Sequence, residues 1–223
     1  IPVRQLMATG GGVRLTTAQA FGALDADADG RLTLDDMQRA TLYSAELQSL
    51  APTSSLQNAF QAADPAGTGR ISEADFSSTF LTQLSQLHPA IRGQAGRDAY
   101  ARALVAACFA MAFELLGGSS DEGTLPRSSM TPIVDAVSAA CVAAGETRQG
   151  ALKTLELFGP PTPLVTGDAF VAAMLKAVGK GAQPATVMRA TLAQLGQTPS
   201  GRRIAVLGAM KNLGDFGSQF HAA

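Results

Sequence analysis

The chain is poor in the residues on which most catalytic and nucleic-acid-binding sites depend. Among its 223 residues there are no tryptophans, two histidines and two cysteines. With His88 and His221 alone, a histidine-based catalytic triad or zinc cluster is nearly excluded. Its 17 basic and 18 acidic residues give a net charge of −1, so the chain has no basic field for nucleic acid. Charged residues make up only 16% and hydrophobic residues 46%, a composition that excludes disorder.

Long hydrophobic runs are also missing. The longest uncharged apolar run, residues 103–113, has 11 residues. A membrane-spanning helix needs about 20, so no membrane span is predicted. Cys108 and Cys141 lie in apolar helical patterns, and we expect them to be reduced core residues rather than a disulfide framework. The chain has no secretory signal pattern, and its start at Ile1 is compatible with an intracellular protein that has lost an organellar import signal.

The most informative feature is a repeat at an offset of 39 residues. The matched positions are Phe21 and Phe60, Asp25 and Asp64, Gly30 and Gly69, Arg31 and Arg70, Leu32 and Ile71, and Asp36 and Asp75. A repeat this regular indicates one supersecondary unit used twice. Each copy is predicted to contain a helix, a loop of twelve residues and a second helix.

Capping patterns predict where the helices of the two copies begin. Thr16-x-x-Gln19 and Ser54-x-x-Gln57 are expected to open the entering helices. Thr33-x-x-Asp36 and Ser72-x-x-Asp75 are expected to open the exiting helices. In the first copy, apolar residues recur near helical spacing and predict one exiting helix that ends at Pro52; they are Met37, Leu42, Leu47 and Leu50.

The second half of the chain carries a fainter copy of the same pattern. Leu125 and Val165 stand 40 residues apart, and a long apolar helix is predicted over residues 98–116. Pro132 suits the first turn of the next helix and Gly145 suits its end. We therefore predict an all-α fold of four helix–loop–helix units in two pairs, with a C-terminal helical extension. The boundaries are 1–88, 97–178 and 179–223, with a linker at 88–96 and helical patterns at 184–195 and 200–213 in the extension.

The first loop, residues 25–36, has the side chains that a hard cation requires. Calcium takes six to eight oxygen ligands, and a short loop supplies them by curling around the ion. Asp25, Asp27 and Asp29 stand at alternate positions, and Gly30 permits the sharp turn. The remaining candidate ligands are the backbone carbonyl of Arg31, the side chain of Thr33 and the closing carboxylate of Asp36. Leu32 is expected to point away and to pair with Ile71 in a two-stranded ribbon.

This pattern resembles the EF-hand family of calcium-binding proteins, and the four-unit layout is similar to calmodulin-like and sarcoplasmic calcium-binding proteins. The resemblance covers residues 17 to about 87 well and reaches residue 178 as a degenerate copy. It implies a Ca²⁺ site in the first loop. The family usually closes the loop with Glu, whereas this chain has Asp36. The shorter side chain favours a smaller, six-coordinate ion, which makes Mg²⁺ a competitor. The alternative interpretation is an acidic surface turn.

The other three loops have fewer ligands. In the second loop, residues 64–75, Ala66 and Thr68 replace two carboxylates, and Asp64 and Asp75 remain. Whether this loop binds metal stays open, and we lean toward an empty loop with a structural role. The third loop, residues 118–129, and the fourth, residues 158–169, lack acids at the ligand positions and are predicted to be metal-free.

Three classes of function fit the sequence. These are a calcium-responsive adaptor or sensor, a structural subunit of a larger assembly with a static ion, and a calcium buffer. The near-neutral charge argues against the buffer, and the low surface charge favours coverage by a protein partner or by the chain's own C-terminal extension. No nucleophile–base pair, cofactor motif or small-molecule site is evident, so an enzyme is not predicted. Six apolar residues form either a core or a partner groove, with the core favoured: Phe109, Met111, Phe113, Met130, Phe170 and Met174.

Overall fold

The computed structural model describes residues 15–118, 123–155 and 163–193. These residues are mostly helical, with four short strands among them, in agreement with the predicted all-α class. The predicted helix at 200–213 and parts of the third and fourth loops lie outside the described residues.

The first half of the chain consists of short helices and two very short strands. In chain order these elements are α1 (Thr17–Leu24), β1 (Arg31–Leu32), α2 (Leu34–Leu42), α3 (Ala45–Leu50), α4 (Thr53–Ala63), β2 (Ile71–Ser72) and α5 (residues 73–87). Helix α5 contains a π-helical segment, Phe76–Phe80, between Glu73–Asp75 and Leu81–Leu87.

The second half begins with the longest helix. The elements are α6 (Gly93–Phe113), β3 (Thr124–Pro126), α7 (Thr131–Ala143), α8 (Arg148–Leu155), β4 (Leu164–Thr166), α9 (Gly167–Gly179) and α10 (Pro184–Leu192). A π-helical segment, Glu114–Gly118, extends α6. As predicted, Pro132 lies in the first turn of α7, and Gly145 follows the end of that helix with a φ of 97°.

The strands pair into two antiparallel ribbons. In the first ribbon Leu32 lies opposite Ile71, as predicted, and both side chains are fully buried. In the second ribbon Leu125 lies opposite Val165, the pair that stands 40 residues apart in the sequence. Each ribbon therefore joins two separate segments of the chain through a buried apolar pair.

Three of the four predicted capping patterns are present. Thr16, Thr33 and Ser72 each accept a hydrogen bond from the backbone three residues later, and each forms a reciprocal capping box. The prediction for Ser54 is wrong, because α4 begins at Thr53 and no side chain caps it. Pro52 occupies the N-cap position instead, with its φ fixed at −55°, a value suited to a helix start.

Two predicted helix boundaries also need correction. The exiting helix of the first copy does not run to Pro52 but ends at Leu42, which is 73% exposed. A new helix then begins, and the Ser44 hydroxyl caps it by accepting from the Leu47 N–H. The predicted linker at 88–96 is shorter, because α6 already begins at Gly93. Gly96 lies inside that helix, and a Cβ there would approach the Ala90 carbonyl oxygen to 2.5 Å. Close packing therefore requires this glycine.

Helix α6 forms the centre of a single hydrophobic core. It packs against helices of both halves, namely α1, α2, α3, α9 and α10. Of the six apolar residues that the sequence favoured as core, all but the partly buried Met111 are buried. Cys108 and Cys141 are both buried, which confirms that they are core residues.

Helix α6 is also long and apolar enough to cross a membrane. The candidate span, Gly93–Leu116, has 24 residues. It is longer than the uncharged run of 11 residues in the sequence because it includes charged residues on either side of that run. In this fold 67% of its most apolar window is buried, as in the central helix of a packed core. The absence of a membrane span stays a prediction.

The described part of the C-terminal extension packs onto both halves. Helix α10 contacts α1, α6 and α7, and the side chains of Ala182, Val187 and Met188 are almost completely buried. At Gly22 in α1, an added Cβ would lie 3.2 Å from the Cβ of Ala185. The extension therefore covers the first helix as well as the second half.

Candidate metal centre

The first loop lies between two helices and holds three carboxylates close together. Helix α1 ends at Leu24, so Asp25 is its C-cap, and β1 and α2 complete the loop. One carboxylate oxygen from each of Asp25, Asp27 and Asp29 lies within 4.8 Å of the others. Asp25 is half-buried at the base of the loop, whereas the other two are exposed.

Backbone N–H groups of the loop donate to all three carboxylates, to Asp27 through a long contact of 3.4 Å from the Asp29 N–H. The Asp25 carboxylate accepts from the N–H groups of Asp29 and Gly30, both at 3.1 Å. Asp29 Oδ1 accepts from the Arg31 N–H at 2.8 Å. The loop thus curls around its own acidic side chains.

The curl requires left-handed backbone at two positions. Gly30 has a φ of 75° and Ala28 a φ of 59°. In the second loop Gly69 is the equivalent of Gly30 and has a φ of 75°, and Gly67 is the equivalent of Ala28 and has a φ of 64°. Glycine adopts this region without a Cβ penalty, whereas Ala28 does so at a cost of about 1–2 kcal/mol.

The electrostatics of the loop disfavour ionisation of Asp25. Burial raises the pKa of Asp25, and the hydrogen bond with Asp27 and its like charge raise it further. The backbone N–H groups of Gly30 and Asp29 partly oppose this by lowering the same pKa. A positive charge close to Asp25 would favour its ionised form.

Asp36 and Thr33 bond to each other at the start of α2. Asp36 Oδ2 accepts from the Thr33 N–H at 2.9 Å and from the Thr33 hydroxyl at 2.7 Å. The Asp36 N–H donates to the same hydroxyl at 3.3 Å. Asp36 is not in the group of three close carboxylates. The predicted ligands therefore fall into two groups. The carboxylates of Asp25, Asp27 and Asp29 lie close together, and Thr33 and Asp36 bond to each other at the start of α2. The sixth predicted ligand is the backbone carbonyl of Arg31.

The second loop satisfies its polar groups internally. Asp64 Oδ1 lies 2.9 Å from both the N–H and the hydroxyl of Thr68, and Oδ2 accepts from Gly69 N–H at 2.6 Å. The hydrogen bond from the Thr68 N–H is the main reason that the pKa of Asp64 is lowered. Asp75 accepts from the Ser72 hydroxyl at 2.6 Å, which is the main cause of its lowered pKa. Both remaining acids are thus stabilised as anions by the protein itself.

A contact between the loops was missed by the sequence analysis. Arg70 of the second loop forms an ion pair with Asp29 of the first, with Nη1 2.8 Å from Oδ2. Arg31, the equivalent of Arg70 in the first loop, helps to lower the pKa of Asp75 in the second. The sequence carried a partial signal, because arginines stand at matched positions of the two loops, but it did not fix which acid each arginine contacts.

The later loops are only partly within the described residues. In the third loop Gly123 has a φ of 58°, but Ser120, Asp121 and Glu122 lie outside the described part. In the fourth, residues 163–169 are described, and Thr166 caps α9 by accepting from the Ala169 N–H at 3.3 Å. Their predicted lack of metal stays a prediction.

The chain was compared with known proteins at the level of families, sequences and folds. No protein-family model, no curated protein and no solved structure matches it.

Proposed function

We propose that the chain is an EF-hand protein that binds Ca²⁺ in its first loop, with Mg²⁺ as a competitor, and that this binding serves contact with a protein partner. The observation that carries the proposal is the convergence of Asp25, Asp27 and Asp29 oxygens to within 4.8 Å in a twelve-residue loop between two helices. It rests on the residues themselves, without support from a known relative.

The spacing of the oxygens fits one calcium ion. Calcium–oxygen distances are about 2.3–2.6 Å, so ligands of one ion lie no more than about 5 Å apart. The donor set is hard and anionic, which suits Ca²⁺ and Mg²⁺ rather than softer metals. Arg31 would contribute its carbonyl, and Thr33 and Asp36 would complete the set.

The proposal is tested by calorimetric titration of the chain with Ca²⁺, with and without Mg²⁺. Asp25→Asn removes one charge from the carboxylate group and is expected to weaken Ca²⁺ binding by about tenfold or more, because affinity follows the number of anionic ligands. Asp64→Asn makes the same change in the second loop and serves as the matched control. Its Ca²⁺ affinity is expected not to fall below that of the parent. Unchanged binding in Asp25→Asn, or an equal loss in both variants, would contradict a first-loop site.

A role in protein contact is supported by composition and by exposed apolar side chains. Charged residues make up 16% of the chain, and Leu42, Leu87, Val142 and Leu164 are exposed large hydrophobics among the described residues. The test is recovery of partners with and without a chelator. Partners that bind only with Ca²⁺ support a responsive adaptor.

A static structural ion is the second candidate. The single core that joins both halves and α10 favours it, since a packed core opposes large rearrangement. Binding of a hydrophobic dye separates the two functions. An adaptor is expected to expose apolar surface when Ca²⁺ is added, whereas a static ion leaves the dye signal unchanged.

A further inference from the structure

We propose that Arg70 sets the divalent-cation affinity of the first loop by competing with the ion for Asp29. The inference rests on the proposed function, because it concerns the same loop. It assigns the second loop a task that needs no metal of its own, namely to place a fixed positive charge against a ligand of the first site.

The contact joins residues 41 positions apart in the sequence. Pairing of β1 with β2, in the register Arg31 opposite Ser72, brings the two loops side by side. Arg70 Nη1 then donates to Asp29 Oδ2 at 2.8 Å, and the Arg31 N–H occupies Oδ1 at the same distance. Both oxygens of Asp29 therefore already have donors, and the guanidinium competes with an ion that approaches Oδ2.

The second loop holds Arg70 in position through its own hydrogen bonds. The Thr68 hydroxyl lies 3.1 Å from the Arg70 carbonyl oxygen and accepts from the Arg70 N–H at 3.3 Å. The same hydroxyl lies 2.9 Å from Asp64 Oδ1. This arrangement fixes the backbone of Arg70 without a cation, while the side chain extends to the neighbouring loop.

The size of the effect follows from the exposure of the pair. The side chains of Arg70 and Asp29 are 57% and 34% exposed, so water and salt screen their attraction. Exposed ion pairs of this kind contribute modestly, and we expect loss of the arginine charge to tighten Ca²⁺ binding by about two- to fivefold. The gain should shrink as ionic strength rises, because the Debye length falls from about 30 Å at 0.01 M salt to about 8 Å at 0.15 M.

The test compares Arg70→Gln with Arg39→Gln in calorimetric Ca²⁺ titrations at low and physiological salt. Arg39 is the matched control because it also forms an exposed ion pair with an aspartate, Asp35, beside the same loop. Both variants lose one positive charge. Arg70→Gln is expected to bind Ca²⁺ two- to fivefold more tightly than the parent at low salt, and Arg39→Gln to change less. Equal gains in both, or no gain in Arg70→Gln, would overturn the proposal.

A second measurement does not depend on affinity. Nitrogen NMR of the arginine side chains in the metal-free parent should give a signal from a hydrogen-bonded Arg70 guanidinium. Asp29→Asn should abolish this signal. Addition of Ca²⁺ should also remove it, because the ion releases the guanidinium from Asp29. An Arg70 signal that Ca²⁺ leaves unchanged, in a parent that binds the ion, would overturn this inference alone. A parent that binds no Ca²⁺ would overturn both this inference and the proposed function.

Discussion

At the scale of single residues, Asp29 in the first loop is matched by Thr68 in the second, and the two side chains find different partners. Thr68 carries its own proton, and its hydroxyl donates to Asp64 Oδ1 at 2.9 Å without any added ion. Asp29 offers only acceptor oxygens and therefore takes a cation, which is the guanidinium of Arg70 in the metal-free chain. At this position the second loop has a hydroxyl that bonds within its own loop, whereas the first loop has a carboxylate that pairs with a cationic side chain.

The grouping of Asp25, Asp27 and Asp29 was predictable from the sequence, because alternate positions of a tight loop turn side chains to the same side. The hydrogen bonding inside the second loop was not predictable, since a hydroxyl bonds to whichever acceptor the closed loop brings near it. The contact of Arg70 was missed for a similar reason. A long side chain can extend in many directions, and its partner is decided by packing.

Asp36→Glu tests the closing position of the first loop. The longer side chain can present both carboxylate oxygens to a calcium ion, so we expect tighter Ca²⁺ binding and weaker competition by Mg²⁺. The substitution keeps the capping box with Thr33, because Glu at the third position of a helix is the usual partner of a Thr cap. The measurement is Ca²⁺ titration at several Mg²⁺ concentrations, with Asp75→Glu in the second loop as control. Equal affinity and selectivity in Asp36→Glu and the parent would refute the expectation.

At the scale of elements, caps decide where the helices of each unit begin. Thr16, Thr33 and Ser72 were predicted as caps and act as caps, because each motif satisfies local N–H groups whatever the surrounding fold. Ser54 was not a cap because Pro52 starts its helix. The break after Leu42 was missed because Ser44 competes as a cap within an apolar pattern that reads as continuous.

The π-helical segment Phe76–Phe80 is another feature that periodicity did not predict. The rings of Phe76 and Phe80 stack with centroids 5.3 Å apart, and Phe76 also packs on Phe21 of α1 at 5.9 Å. An i→i+5 turn changes the direction of successive side chains. Sequence patterns assume a uniform spacing of about 3.6 residues per turn, so they give no sign of it.

A pair of serine substitutions tests the assignment of caps. Ser72→Ala removes the hydroxyl that accepts from the Asp75 N–H and is expected to lower the free energy of unfolding by about 1 kcal/mol. Ser54→Ala is the matched control, since Ser54 is exposed and is not the N-cap of its helix, and its effect should stay within about 0.5 kcal/mol. The measurement is urea denaturation of the metal-free chain. Equal losses in the two variants would show that the caps are wrongly assigned.

At the scale of the whole molecule, one hydrophobic core connects the segments that the sequence divided into pairs and an extension. The residues of this core were largely predictable, because helical spacing of apolar side chains marks the buried face. Their partners were not. The packing of α6 against helices from both halves, and of α10 against α1, depends on contacts between distant segments that no local pattern encodes.

The two cysteines report on the integrity of that core. Cys108 and Cys141 are 1% and 0% exposed. Burial raises the pKa of Cys108 to about 12 and also raises that of Cys141, so both thiols stay protonated near pH 8. Because the folded pKa of Cys108 lies above its ordinary value, its protonated form stabilises the folded chain below that value. This contribution is lost as the pH rises toward 12.

We therefore expect the native chain not to react with an aromatic disulfide reagent at about pH 8, since only the exposed thiolate attacks it. The reagent releases a chromophore when it reacts with a thiol, and the absorbance of this chromophore should rise only as the chain unfolds. The control is the same chain in concentrated denaturant, where both thiols should react at once. Rapid labelling of either cysteine under native conditions would show that the core opens at that site.

The contact between α1 and α10 has a consequence for how the protein is made. Gly22 lies against Ala185, so one side of the first helix is covered by residues more than 160 positions later in the chain. Synthesis adds about 5–20 residues per second, so this interval lasts at least several seconds. During that time the nascent first helix keeps an apolar flank open to chaperones, and the polypeptide reaches its final state only after translation has passed Ala185.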